Sequence, residues 1–281
     1  MLDFTISLIL YNPNFLDLNK LFNSLALQAN VSFELLIWDN SSQDHSKAIS
    51  LSCNYRYFKS SQNLGFGRGH NGNYKLAKPS KYFLVINPDI YFEDPRLLKK
   101  ILERMEEKPE IGLSSVRLLN PDGSDQDVHR LLPRVRDIAK RFIYKNLRIY
   151  DSASHNYTLS HIDKKNEFIC PSISGAFMVI RSQLYKSLNG FDDNIFLYFE
   201  DIDLSRRCHH VTNGTNTVFG DLTVFHTWGR GGYRSFELFK IHILSTSYYF
   251  QKYGIFSDEY SGLANAAAIA HNRKKASHGQ E

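Results

Sequence analysis

The chain has 281 residues, 42% hydrophobic, 14% aromatic and 22% charged, with a formal net charge of +5. This is enough to bury a substantial core, as one large domain or one domain with an appendage. The charge is too mild for a DNA-binding role and fits a nucleotide diphosphate or a lipid headgroup.

Three scattered cysteines, Cys53, Cys170 and Cys208, show no metal-ligand spacing, so a reduced, cytoplasmic chain is the simplest reading. The N-terminus has no basic leader, and no run approaches the ~20 apolar residues of a spanning helix. A membrane, if met, is expected to be met at its surface.

Residues 4–11 read as a first buried strand, turned by Asn12-Pro13-Asn14 into a helix carrying Leu16, Leu18, Leu21, Phe22 and Leu25. A second strand, 33–38, ends in Asp39-Asn40-Ser41-Ser42, and a short third covers 55–58. Residues 63–71 read as a glycine-rich loop leading into a helix. A fourth strand, 81–86, is stopped by Asn87-Pro88-Asp89, an amphipathic helix covers 97–108, and 111–116 resumes the sheet. Repeated βα units with short apolar strands predict a mainly parallel central sheet flanked by helices. Ligands bind such sheets at the carboxyl ends of the strands, where the polar clusters at 11–12, 39–42 and 87–89 fall.

Residues 130–150 mix seven Arg and Lys with apolar and aromatic residues, which suits an interfacial helix and equally a solvated helix with one buried face. Residues 151–167 read as a polar connection and 172–180 as a buried strand. Beyond about 225 the chain reads as a helical appendage over 236–250 and an Ala-rich 264–270, with a disordered polar end. The expected division is a catalytic domain at 1–225 and a flap, aromatic helical tail and end at 226–281.

The densest chemistry lies in residues 196–207, where an apolar lead-in precedes Glu200, Asp201 and Asp203, followed by Arg206 and Arg207. Crowded, partly buried carboxyls repel one another, so at least one pKa should rise toward the range of a general base. Taken alone, the run favours a helix start whose acids face the dipole and whose arginines pair back. Gly65, Gly67 and Gly69 offer amides for a diphosphate in G-x-G-x-G spacing, or a plain turn. Asp89 is placed to hold Mg²⁺ or Mn²⁺, although Asn-Pro-Asp is also a common turn. His226 is a candidate second ligand, and the Gly-rich 229–232 with Arg230 and Arg234 reads as a closing flap that grips phosphate.

In their order these marks resemble the inverting family-2 glycosyltransferases of the GT-A fold. They run Leu10-Tyr11-Asn12, Asp39 to Ser42, Asn63 to Asn71, Asn87-Pro88-Asp89, Ser174 to Met178, Gly190-Phe191-Asp192 and Tyr198 to Leu204. Within the family the likeness is greatest to bacterial rhamnosyltransferases of O-antigen and other surface polysaccharides, and it spans roughly residues 4–253.

The resemblance implies that Tyr11, Asn12, Asp39, Asn40, Asn63, Gly65, Gly67, Arg68, Gly69, Asn71 and Asn87 hold the nucleotide sugar, Asp39 accepting from the base N3–H. It makes Asp89 the metal ligand with His226 second, Asp201 the general base, and Glu200 and Asp203 groups that position acceptor or base. Gly175, Arg230 and Arg234 would meet acceptor or diphosphate. The implied donor is dTDP-L-rhamnose and the implied acceptor a lipid-diphosphate-linked saccharide at the inner face of the cytoplasmic membrane. Oligomeric state stays open. Many members carry Asp-x-Asp at the metal site, whereas Asn87 here leaves fewer charges on the ion.

The alternatives are the same mechanism with a UDP- or GDP-sugar, a sugar-1-phosphate nucleotidyltransferase, and a non-catalytic sugar-binding scaffold. The nucleotidyltransferase needs a glycine-rich Arg/Lys loop directly after the first strand, where Tyr11-Asn12-Pro13-Asn14 stands instead.

Overall fold

Along the first strand, β1 (Leu2–Leu10), residues 4 to 10 are all buried, so both faces of this strand are covered. Helices must therefore lie on both sides of the sheet. The computed structural model describes residues 1–49, 53–135, 157–160, 162–227, 236–255 and 258–278.

The Asn14 side chain accepts the Leu16 N–H at 2.9 Å and caps α1 (Phe15–Ala26). Leu18, Leu21, Phe22 and Leu25 follow at i, i+3, i+4 and i+7 and are buried, while Leu16 points outward and is 75% exposed. β2 (Phe33–Asp39), β3 (Tyr55–Lys59) and β4 (Ser80–Ile86) join β1 as four parallel strands. β5 (Ile90–Tyr91) and α3 (Leu97–Glu107) come next, then β6 (Leu113–Leu119) and β7 (Phe168–Ile169). After them stand β8 (Phe177–Arg181), α4 (Ser182–Ser187), α5 (Glu200–Val211) and β9 (Thr217–His226).

Among the described residues nine strands form one sheet in the order β3-β2-β1-β4-β8-β6-β9-β5, with β7 also paired to β9. β8 runs antiparallel to β4 and β6, and β5 and β7 run antiparallel to β9, so six strands share one direction and three oppose it. One core lies between the sheet and α1 and α3. A second lies on the opposite side, under α4 and α5.

Three expectations are corrected. The segment 63–71 is not a loop throughout, because α2 (Phe66–Leu76) starts at Phe66 and takes in Gly67, Gly69 and Asn71. The connection before residue 168 is not merely polar, since Tyr157 and Leu159 enter the second core and the Leu131 N–H donates to the Tyr157 carbonyl at 3.0 Å. The polar end is helical as far as residue 278, within α7 (Glu259–His278), which follows α6 (Phe236–Tyr253). The basic stretch 136–150 and the flap 228–235, with Arg230 and Arg234, lie outside the described residues. The expected boundary between 225 and 226 falls inside β9.

Candidate active site

The carboxyl ends of β1, β2 and β3 open into a pocket of about 280 Å³, lined by Tyr11, Asn12, Asn40 and Asn63 and also by Lys59 and Gln62. Polar side chains fix its loops. The Asn12 N–H donates to Ser41 Oγ at 2.8 Å, and Asn12 itself sits at φ 47°. Asn40, almost wholly buried, donates from Nδ2 to the Gly65 carbonyl at 2.9 Å and accepts the Leu64 N–H at 3.2 Å. Asn63 Oδ1 accepts the Gly65 N–H at 2.9 Å. Gly65 stands at φ 85°, and a Cβ there would lie 2.2 Å from the Phe196 carbonyl oxygen. No other residue fits that backbone and that contact.

Four residues expected at the nucleotide also have packing or hydrogen-bonding roles within the fold. Gly67 and Gly69 let α2 approach its neighbours, because a Cβ at either would come within 2.8 Å of Phe191 or Ile9 respectively. Asn71 is spent on Phe191, Asp193 and Tyr185. Arg68 Nε donates to the Asp193 carbonyl at 2.6 Å.

Asp39 is fully buried below the pocket. Its carboxylate accepts from the Ser41 N–H (2.8 Å), the Tyr57 hydroxyl (2.6 Å) and His45 Nδ1 (2.9 Å). Burial pushes its carboxyl up, but donations from Ser41, Tyr57 and His45 outweigh this and hold it below the usual range. In this state Asp39 shapes the Ser41–Ser42 turn and presents no surface to a base.

Asp89 and His226 are brought together although 137 residues separate them. The β5–β9 ladder pairs Ile90 with His226, and the Thr227 N–H donates to the Asp89 carbonyl at 3.0 Å. His226 Nε2 lies 3.2 Å from Asp89 Oδ1, is buried and makes no hydrogen bond. A carboxylate oxygen and an imidazole nitrogen converging from two strands fit two corners of a divalent-cation site, with the remaining positions left to phosphate oxygens and water. Among the described residues no group of three or more His, Cys, Asp or Glu could hold a metal. An ion here would therefore depend on the donor for its other ligands.

The third component sits at the start of α5. Tyr198 and Phe199 precede it at φ 68° and 69°, two successive left-handed non-glycine residues, a conformation of the strained kind found at functional sites. Their rings hold it in place. Tyr198 packs on His242 (5.2 Å) and Phe199 on Tyr249 (5.3 Å), both from α6. Asp201 is half-buried, and its Oδ2 accepts the Gly175 N–H at 2.9 Å. The next residue in that segment, Ala176, accepts the Asn87 N–H at 3.0 Å, so 175–176 ties the base candidate to the metal motif.

Burial raises the Asp201 carboxyl, partly offset by the Gly175 and Ile202 amides and by the charge of Arg130. Glu200 is buried with its Oε2 unpartnered, and burial together with the Asp201 charge pushes it well above the usual carboxylate range.

Asp203 does not join them. It is fully buried and saturated by Arg207 Nε (2.8 Å), Lys252 Nζ (2.6 Å) and the Tyr253 hydroxyl (2.6 Å), which fastens α5 to α6. Arg207 pairs back to it as a helix-start reading expects, whereas Arg206 pairs with Asp258 at 2.6 Å.

Lys59, Tyr57, His45 and Gln126 were not singled out by the sequence. None stands in a motif, and each meets its partner only through the fold.

The family model described as glycosyl transferase family 2 matches residues 5–187. The chain is 23% identical over 202 residues to the N-acetylglucosaminyl-diphospho-decaprenol L-rhamnosyltransferase of Mycobacterium tuberculosis, covering 68% of this chain and 65% of that protein. It is 28% identical over 153 residues to the rhamnosyltransferase WbbL of Escherichia coli K12, covering 50% of this chain and 54% of that one. It thus spans less than two thirds of the length of either relative. Among solved structures, GalNAc-T7 with UDP, GalNAc and Mn²⁺ superposes with a TM-score of 0.65 at 13% identity, over 92% of this chain and 50% of that one. The fold is the GT-A fold expected from the motifs, and with a family match across more than half its length the chain belongs to glycosyl transferase family 2.

Proposed function

We propose that this chain is an inverting glycosyltransferase. It moves L-rhamnose from dTDP-L-rhamnose onto a hydroxyl of a lipid-diphosphate-linked saccharide in bacterial surface-polysaccharide synthesis. The observation that carries the reading is Asp201, held by the Gly175 amide at the head of α5 and linked through 175–176 to the Asp89–His226 pair. The choice of rhamnose and of a lipid-linked acceptor draws support from the names of the relatives.

Asp201 takes the proton of the acceptor hydroxyl as that oxygen attacks the anomeric carbon. The bond from that carbon to the nucleoside diphosphate breaks on the opposite face. The Gly175 N–H keeps one carboxylate oxygen of Asp201 fixed through the transfer. Tyr11, 59% exposed at the pocket mouth, offers a face for the base, and Asn12, Asn40 and Asn63 shape the nucleotide cleft. A divalent cation held by Asp89 and His226 would neutralise charge on the departing diphosphate. Arg230 and Arg234 would add to that neutralisation.

Calorimetric binding of dTDP-L-rhamnose, UDP-glucose, UDP-galactose and GDP-mannose, each with and without Mn²⁺, tests the reading. Mn²⁺-dependent binding of dTDP-L-rhamnose alone is expected. Preference for a uridine or guanosine sugar would discard rhamnose and keep the transfer, and no binding by any of the four would remove the catalytic reading.

A further inference from the structure

The orientation of His226 is set by a run of side chains in the turn after β6, and the direction of every hydrogen bond in that run can be worked out. Asp122, as a carboxylate, only accepts, and it takes the Ser124 hydroxyl proton at 2.6 Å. Ser124 has one such proton, so its Oγ must accept from elsewhere, and Asn120 Nδ2 donates to it at 2.9 Å. Asn120 Oδ1 is thereby left to accept from Gln126 Nε2 at 2.8 Å.

A second anchor gives the same answer. Gln126 Nε2 also donates to the His226 main-chain carbonyl at 2.8 Å, an acceptor that cannot be reversed. Both amide protons of this buried glutamine are then committed, and its Oε1 meets His226 Nδ1 at 2.8 Å. A carbonyl oxygen cannot donate, so Nδ1 carries the proton of the neutral ring.

We propose that Gln126 is a positioning residue that locks His226 as the Nδ1–H tautomer, leaving the Nε2 lone pair facing Asp89 Oδ1. Two electron-rich atoms 3.2 Å apart repel each other unless a cation bridges them. The lock thus prepares a cation site before any cation arrives, and that consequence rests on the metal reading given above. Partners that orient a ligating histidine in this way typically change metal affinity about 10- to 100-fold when removed.

Nitrogen-15 spectra of histidine-labelled, metal-free protein at pH 8.5 report the tautomer directly, with His226 assigned by its loss in His226→Asn. Wild type is expected to show Nδ1–H, and Gln126→Leu to lose that preference. Gln126→Glu loses the donations to Asn120 and the His226 carbonyl but keeps an acceptor opposite Nδ1, and it is expected to retain the tautomer. Mn²⁺ titrations followed by electron paramagnetic resonance should give an affinity about 10- to 100-fold weaker in Gln126→Leu and closer to wild type in Gln126→Glu.

An Nε2–H tautomer in wild type overturns the proposal, without any variant having to fold. So does Gln126→Leu with the wild-type tautomer and Mn²⁺ affinity. An Nδ1–H wild type that takes up no Mn²⁺ supports the lock and tells against the metal reading, so the two failures are distinguishable.

Discussion

Two neighbouring carboxyls at the head of α5 differ in what donates to them. Asp201 accepts the Gly175 amide, while Glu200 is buried with an unpartnered oxygen. Asp201→Asn keeps an acceptor for that amide, so it should fold and bind nucleotide sugar while kcat falls on the order of 10²- to 10⁴-fold. Turnover assays beside calorimetry check this, and near-normal kcat would remove Asp201 from the base role.

Glu200 bears on stability. Its native pKa lies above its unfolded value, so the folded state binds the extra proton and stability falls as pH climbs above the ordinary carboxylate range. Thermal melts from pH 5 upward should therefore decline less steeply in Glu200→Gln than in wild type. Parallel curves would mean that Glu200 is ionised as readily when folded as when unfolded. This pair was legible in the sequence because neighbours in the chain are also neighbours in space. Asp203 was not, because Lys252 and Tyr253 reach it from about fifty residues away. Asp39 was legible as a strand-end acid but not as one already saturated by Tyr57 and His45.

Among the elements, α2 departed furthest from expectation. Glycine is a poor helix former, and three in alternation read as a loop. The cost is offset where a side chain would collide, at Phe191 for Gly67 and at Ile9 for Gly69. The first four strands were readable from their apolar runs and polar stops. The reversed direction of β8 was not, since a buried apolar run carries no sign of which way it points. The α5–α6 fastening gives a test that separates structure from chemistry. Asp203→Asn removes a fully buried charge from two cations and should cost on the order of 3 kcal/mol. Denaturant unfolding should show that loss, with kcat per folded molecule changed far less than in Asp201→Asn. The reverse order would return Asp203 to the reaction.

At the scale of the whole molecule, α6 turns two faces to different surroundings. Tyr249 and Phe250 are buried beside Phe199, whereas Phe236, Phe239 and Leu244 are 84%, 55% and 59% exposed. No helix among the described residues is long and apolar enough to cross a membrane. An exposed apolar strip on α6 would suit contact with a lipid surface. Flotation with anionic vesicles at low salt should carry the protein upward, and Phe236→Ser with Phe239→Ser should weaken that. A wild type left at the bottom would remove the membrane surface as a partner.

α7 grips the catalytic body through two amides seven residues apart. Asn265 both donates to and accepts from the Leu132 main chain, and Asn272 does the same at Ile169 on β7. Two strands of yarn hooked at matching stitches come undone together, and so should this edge. Expression fragments stopping near residue 255 would strip the cover from β7 and leave main-chain groups ready to pair between molecules, so they should precipitate where longer ones stay monodisperse. A fragment ending with the family match at 187 would lack β9, Asp201 and His226 altogether. The stretch that identifies the family is thus shorter than the stretch that builds the sheet.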